Sequence, residues 1–122
     1  MRSTITFKRG RVVVVNVPFS NHSGVKPRPA LVISAEAFHR NLADVIVCPI
    51  SSQPRCYRRP GPGDYPLIGW RAVGLRHPST VRISKVLAVD KQIIKRGLGL
   101  LSQQDLAHVE MGLRRALGLG RG

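Results

Sequence analysis

An arginine held between two prolines is the residue of this sequence best suited to do chemistry. Arg28 lies between Pro27 and Pro29, after the polar stretch 20–24 and before the apolar run 30–33. Each proline fixes its own backbone and restricts the residue before it, so the chain around Arg28 has few conformations. A guanidinium fixed where a loop enters a strand presents a planar, permanent charge that suits a phosphate. The alternative is a solvated or ion-paired surface arginine.

Two hydroxyls and one imidazole are the next candidates. Ser51 and Ser52 follow the apolar segment Val45–Ile50, where a hydroxyl can donate a hydrogen bond to a phosphoryl oxygen. Serines also simply end strands, and this reading stays open. His22 lies in the polar stretch before Arg28 and is a candidate general base, although a loop histidine is often only solvated.

The other acids and histidines argue against several enzyme classes. His39, His77 and His108 have no spacing typical of a metal site, and no phosphate-binding loop, dinucleotide fingerprint or Ser-His-Asp order is present. The chain has only six Asp and Glu, whereas two-metal nucleases gather several carboxylates. We therefore predict no metal site and no cofactor, and any nuclease chemistry here would be metal-independent.

A basic stretch with interleaved aromatic residues follows the two serines. This stretch contains Arg55, Tyr57, Arg58 and Arg59, and two further aromatic residues, Tyr65 and Trp70, follow soon after it. Charge can track a single-stranded backbone while rings stack on bases. The prolines exclude a central strand, so we predict a long, mobile loop beside Arg28 that grips nucleic acid. If that loop serves only solubility, the basic track is instead Lys26, Arg76, Arg82 and Lys85.

The overall charge indicates an anionic partner. Twenty Lys and Arg stand against six Asp and Glu in 122 residues, a formal net charge of +14. Nucleic acid, an acidic protein or an anionic membrane would each account for it. No apolar run is long enough to span a membrane, and the first residues lack the apolar centre of a secretory signal. Cys48 and Cys56 form no disulfide framework, so we predict one cytoplasmic domain, 1–122, with reduced thiols.

The residue patterns predict many short strands and one helix. The strand-like segments are Arg11–Val17, Ala30–Ser34, Asp44–Ile50, Asp64–Ile68, Ser79–Ile83 and Val86–Val89, with Ile93–Leu101 as a glycine-interrupted continuation. Residues 35–42 have weak helical character. With no helices between the strands, a doubly wound α/β fold is excluded. We predict a mainly β (α+β) fold, a small, strongly curved barrel of five to seven strands.

The C-terminal segment predicts an amphipathic helix packed on this barrel. Ser102 and Asp105 resemble a capping box, and Gly118 is a typical helix end. One helical face carries Leu106, Val109, Leu113 and Leu117.

In this order and spacing, the segments resemble the PemK/MazF family of bacterial toxin endoribonucleases. The matching pieces are Lys8-Arg9-Gly10, Val17-Pro18-Phe19-Ser20, residues 23–34, Asp44 to Ser52, residues 63–67, Gly74-Leu75, Pro78 to Arg82 and Leu98 to Ser102. The resemblance implies an SH3-like, PemK-type barrel that works as a homodimer and an acidic antitoxin as its partner. It also implies metal-independent cleavage of single-stranded RNA by attack of the ribose 2′-hydroxyl.

The resemblance assigns Arg28 and Ser51 as the catalytic pair, with His22 and Ser52 as further candidates. Where the family often has carboxylates this chain has Arg11, Asn21-His22 and Ser23, so the general base is not identified. The alternative is a module that binds nucleic acid or antitoxin on the same barrel without catalysis.

Overall fold

The structure, a computed structural model, describes residues 7–18 and 25–120. Within these ranges the strands are β1 (Arg11–Pro18), β2 (Val25–Val32), β3 (Asp44–Ser51), β4 (Asp64–Pro66), β5 (Thr80–Arg82), β6 (Leu87–Asp90) and β7 (Ile94–Leu100). The helices are α1 (Glu36–His39), α2 (Pro54–Arg58) and α3 (Gln103–Leu117), and 3₁₀ turns span Ile83–Lys85 and Lys91–Ile93. In this part of the chain, no helix has the length and apolar content needed to cross a membrane.

The strands form one antiparallel sheet with the order β4-β5-β3-β2-β1-β7, and β6 pairs with β3. Over the described residues β4 and β7 end this order without pairing with each other, so the sheet is open. The mainly β fold with a C-terminal helix is confirmed, as an open sheet rather than a closed barrel.

The two faces of the sheet bury different apolar clusters, because side chains alternate along each strand. One face packs Val12, Leu31 and Cys48 against Val109 and Leu113 of α3. The opposite face carries a second cluster, made of Val13, Val15, Ala30, Val32, Val45, Val47, Val89 and Ile94.

β2 and β3 separate at a proline of β2, Pro29. Their pairing ends at Ala30, which lies opposite Pro49. In an antiparallel ladder, hydrogen-bonded pairs alternate with non-bonded pairs. Ala30 and Pro49 form a non-bonded pair, so Pro29 and Ile50 would be the next hydrogen-bonded pair. Pro29 has no N–H to donate, so the ladder stops, while the other edge of β3 still pairs Ile50 with Val81 of β5.

Pro49 coincides with a break on the other edge of β3. By the same alternation its nitrogen faces β5 and β6 and cannot donate a hydrogen bond. The strand on that edge is divided into β5 and β6 by the 3₁₀ turn Ile83–Lys85. This break places Arg82 and Lys85 beside the end of β3.

The C-terminal helix begins and ends as predicted, with two corrections. The Ser102 hydroxyl accepts a hydrogen bond from Asp105 N at 3.1 Å, and Gly118 ends α3 with φ of 69°. The Asp105 side chain does not complete a capping box, because it accepts hydrogen bonds from Tyr65 and Gly69. Leu117 is 57% exposed, so the predicted apolar face stops one turn earlier.

Three further predictions about the elements are wrong. β2 begins at Val25, so Arg28 lies inside a strand rather than where a loop enters one. The predicted loop after Ser52 contains the helix α2, which buries Cys56. The alternation of polar and apolar residues over Ser79–Ile83 predicts a half-exposed strand, but Ser79, Thr80, Val81 and Ile83 are all buried because β5 lies between β3 and β4.

Candidate functional site

The separation of β2 from β3 opens a pocket of about 270 Å³ that contains both predicted catalytic residues. The described residues that line it are Val15, Arg28, Pro29, Ala30, Val47, Pro49, Ile50, Ser51, Arg82, Lys85, Leu87 and Val89. Continuing the β2–β3 register past Ala30 and Pro49 places position 28 opposite position 51. Arg28 and Ser51 both line the pocket at the gap left by the interrupted ladder.

The pocket has an aliphatic floor and a cationic rim. Val15, Ala30, Val47 and Val89 belong to the buried cluster of this face. Above them, the charged residues among the described lining are all cations: Arg28, Arg82 and Lys85. An anion there meets three positive groups beside a surface of low polarity, where charge–charge attraction is stronger than in bulk water.

Ser51 rather than Ser52 shares this pocket with Arg28. The Ser51 hydroxyl accepts a hydrogen bond from Gln53 N at 3.2 Å, which leaves its proton available to a ligand oxygen. Ser52 lies on the other side of the strand end, where it lines a second pocket with Tyr57 and His77.

The arginines of the predicted basic loop do not line the pocket of Arg28. No residue from 53 to 63 is among the described residues that surround it. Arg58 lines the second pocket with Ser52, and the Tyr57 hydroxyl donates to Leu67 O at 3.0 Å. The contacts of Arg55, Tyr57, Arg58 and Arg59 with RNA stay a prediction, but these residues, in α2 and directly after it, do not line the pocket of Arg28.

Lys26 and Arg76, two residues of the alternative basic track, are exposed, and neither lines the pocket. Arg82 and Lys85, the other two residues of that track, do line it. Arg82 is also paired, because its Nε donates to Asp64 Oδ1 at 2.6 Å. Of the four residues of that track, the structure brings two next to Arg28 and Ser51.

Tyr65 contacts two residues of α3. Its hydroxyl donates to Asp105 Oδ1 at 2.7 Å, and its ring stacks on His108 with centroids 5.3 Å apart. Burial first, and then the hydrogen bond to Asp105, raise the pKa of Tyr65 above its ordinary value. Trp70 packs against the core cluster. Stacking of a base on Tyr65 stays a prediction.

The remaining candidates are His22, a metal site and the two cysteines. His22 lies outside the described residues. In the described ranges, no three His, Cys, Asp or Glu side chains lie close enough together to hold a metal ion. Cys48 and Cys56 are free and buried, and burial raises the pKa of the Cys48 thiol to about 12.

Sequence reasoning missed two residues beside the pocket. Asp64 pairs with Arg82, and Thr80 is fully buried opposite Ser51 in the β3–β5 register. Both relationships depend on cross-strand register between segments far apart in sequence. No local pattern of residues could have indicated that register.

The comparisons with known proteins agree with this architecture. The family model for "PemK-like, MazF-like toxin of type II toxin-antitoxin system" matches residues 8–117. A search of curated proteins found no match.

Among solved structures, a MazE–MazF crystal structure from Deinococcus radiodurans is similar, with 24% identity, a TM-score of 0.75, and coverage of 95% of this chain and 100% of that one. An endoribonuclease in complex with its cognate antitoxin, from Mycobacterial species, is 20% identical with a TM-score of 0.70, covering 94% and 98%. The Mycobacterium tuberculosis toxin MazF-mt6 is 22% identical with a TM-score of 0.67, covering 88% and 98%.

At these sequence identities the solved structures show the fold alone. The family model matches most of the chain and therefore shows the family. The chain belongs to the PemK-like, MazF-like toxins of type II toxin–antitoxin systems.

Proposed function

We propose that this toxin is a metal-independent endoribonuclease that cleaves single-stranded RNA in the pocket of Arg28 and Ser51. The observation that carries the proposal is that a guanidinium and a hydroxyl line one pocket, at the point where β2 and β3 separate. Membership of a family whose toxins are generally endoribonucleases supports it.

The proposed reaction is an internal transesterification. The ribose 2′-oxygen forms a bond to the adjacent phosphorus, and the bond from phosphorus to the 5′-oxygen of the next nucleotide breaks. The 2′-hydroxyl loses a proton and the departing 5′-oxygen gains one. The products are a 2′,3′-cyclic phosphate and a 5′-hydroxyl, and no water is consumed.

Arg28 and Ser51 would act on the charge that builds up in this reaction. Negative charge grows on the phosphoryl oxygens as the 2′-oxygen attacks, and donors fixed around those oxygens stabilise the transition state more than the ground state. The guanidinium supplies two parallel N–H donors and a full charge. The Ser51 hydroxyl supplies a third donor.

The proton acceptor is the open part of the mechanism. Among the described residues that line the pocket there is no Asp, Glu or His. His22 lies six residues before Arg28 in the sequence, and we keep it as the candidate base.

We further propose an acidic antitoxin as the protein partner and a homodimer as the working form, acting in the cytoplasm. The chain's net charge of +14 suits an acidic polypeptide as well as RNA. One of the similar structures, the mycobacterial endoribonuclease, is in complex with its cognate antitoxin, and another is a MazE–MazF structure.

The second candidate function is a module that binds nucleic acid or antitoxin without cleaving RNA. The missing carboxylate in the described pocket lining favours it. Incubating a mixed-sequence RNA with the protein in excess EDTA separates the two functions. We expect fragments with 2′,3′-cyclic phosphate and 5′-hydroxyl ends, and none from Arg28→Ala. Intact RNA, shifted on a native gel, would support the binding module instead.

A further inference from the structure

A buried carboxylate holds one of the pocket's arginines from behind. Asp64 and Arg82 are direct partners in the β4–β5 register, and Arg82 Nε donates to Asp64 Oδ1 at 2.6 Å. The Asp64 side chain is 8% exposed, whereas that of Arg82 is 31% exposed. The carboxylate is therefore covered, while the guanidinium remains accessible where it lines the pocket with Arg28 and Ser51.

Asp64 is itself fixed by the turn that precedes it. Its N–H donates to Gly61 O at 3.0 Å, and its Oδ2 accepts from Gly61 N at 3.1 Å. Gly63 has φ of 78°, and its carbonyl accepts from Ile83 N at 2.6 Å. A side chain at position 63 would approach the Cβ of Ser84 to 3.1 Å, so the turn packs closely against the 3₁₀ turn. The carboxylate is thus oriented by groups other than Arg82.

We propose that Arg82 binds a phosphate next to the scissile one and that Asp64 is the positioning residue that fixes its guanidinium. This inference rests on the proposed function and deepens it. A guanidinium has five N–H donors in one rigid plane. Holding Nε on a buried carboxylate sets that plane and leaves its outer edge, with one N–H from each Nη, for the ligand, so an incoming phosphate meets a donor pair that needs no reordering.

The charge of Asp64 makes the proposal easy to separate from a simple electrostatic effect. A carboxylate near the path of RNA repels phosphate, so removing its charge should tighten RNA binding or leave it unchanged. A positioning role predicts that cleavage falls at the same time, because Arg82 loses its orientation. Asp64→Asn serves the test well, since a carboxamide keeps the shape of the side chain but has only one oxygen, which cannot accept from both Arg82 Nε and Gly61 N as the two carboxylate oxygens do.

The experiment is a double-mutant cycle of Asp64→Asn and Arg82→Gln. It measures kcat and KM on a defined single-stranded RNA, and the melting temperature of each variant. We expect roughly a tenfold loss of kcat/KM for each single variant, and about the same loss for the double variant, because coupled residues act non-additively. The matched control is Asp44→Asn, which removes a charge at an exposed position at the start of β3 and should cleave like the wild type.

Two results would overturn the inference while the proposed function stands. One is a double variant whose loss equals the product of the two single losses. The other is an Asp64→Asn protein that melts earlier but cleaves like the wild type, since the ion pair would then only join β4 to β5. A wild-type protein that cleaves no RNA would contradict the proposed function and this inference together.

Discussion

Ser51 and Thr80 lie directly opposite each other on β3 and β5, and their hydroxyls have different surroundings. The Ser51 hydroxyl accepts a hydrogen bond from Gln53 N and borders the pocket. The Thr80 hydroxyl is fully buried and has no hydrogen-bond partner among the described residues. The strand pair thus presents one hydroxyl to a ligand and keeps the other buried and unsatisfied.

We expect Thr80→Val to stabilise the protein. Valine has nearly the shape of threonine, and it removes a buried polar group whose burial costs about 1–3 kcal/mol when it is unsatisfied. Chemical denaturation should show a free energy of unfolding higher by about 1 kcal/mol. Because Thr80 does not line the pocket, the cleavage rate should stay close to the wild-type value. A Thr80→Val protein that is less stable and cleaves poorly would show that this hydroxyl has a partner during catalysis.

Substitutions of the two neighbouring serines should separate their roles. Ser51→Ala loses a donor in the pocket and should be impaired, whereas Ser51→Thr keeps the hydroxyl and should remain active. Ser52→Ala should have a milder effect, because Ser52 lines a different pocket. Cleavage rates on one RNA decide the matter, and a larger loss for Ser52→Ala than for Ser51→Ala would place the hydroxyl one residue away.

Salt dependence should identify the cations that contact phosphates. Each lost phosphate contact lowers the log–log salt slope of single-strand binding by about 0.7. Replacing Arg82 and Lys85 with Gln should therefore flatten the slope by about 1.4, because both line the pocket. Lys95→Gln, at an exposed position of β7, is the matched control and should leave the slope unchanged.

The same assay tests the sequence-based prediction for α2 and the residue after it. If Arg55, Arg58 and Arg59 each contact a phosphate, replacing all three with Gln should flatten the slope by about two, with little change in melting temperature. An unchanged slope would show that these arginines serve solubility and that the RNA track runs past Arg82 and Lys85.

Tyr65 should make the stability of the fold fall at high pH. Its pKa is raised in the folded protein, so the folded state favours the neutral phenol. This contribution is fully present below the ordinary tyrosine pKa of 10.0 and is lost as the pH rises from there toward the raised pKa. Tyr65→Phe should lower stability at pH 8 by about 1–3 kcal/mol, since Asp105 loses a buried donor, and should show a smaller decline above pH 10. An equal decline in both proteins would exclude Tyr65 as its source.

The elements that sequence reasoning placed well are those with a local signal. Strong alternation or continuous apolar runs located β1 and β3, and cap residues located α3. The start of β2 was missed because two prolines near it favour a loop reading, although their nitrogens face the side where β3 has already departed. α2 was missed because a proline-rich, basic segment has little helical pattern, and its helix is held by burial of Cys56 and by Tyr57 on Leu67 O.

The same distinction between local and non-local signals holds for the residues of the candidate site. Arg28 and Ser51 could be named from residue type and family resemblance, and the structure places both in one pocket. The approach of Arg82 and its partner Asp64 could not be anticipated, because it depends on pairing between residues 18 positions apart.

Cleavage of a defined single-stranded RNA by Arg28→Ala and Arg28→Lys, both shown to be folded, tests the central claim most directly. Losing a transition-state donor of this kind costs on the order of 10²–10³ in rate, which we expect for Arg28→Ala. Arg28→Lys should not restore the activity, because an ammonium group cannot reproduce the planar pair of donors. A rate close to that of the wild type in either variant would remove Arg28 from the mechanism and contradict the account.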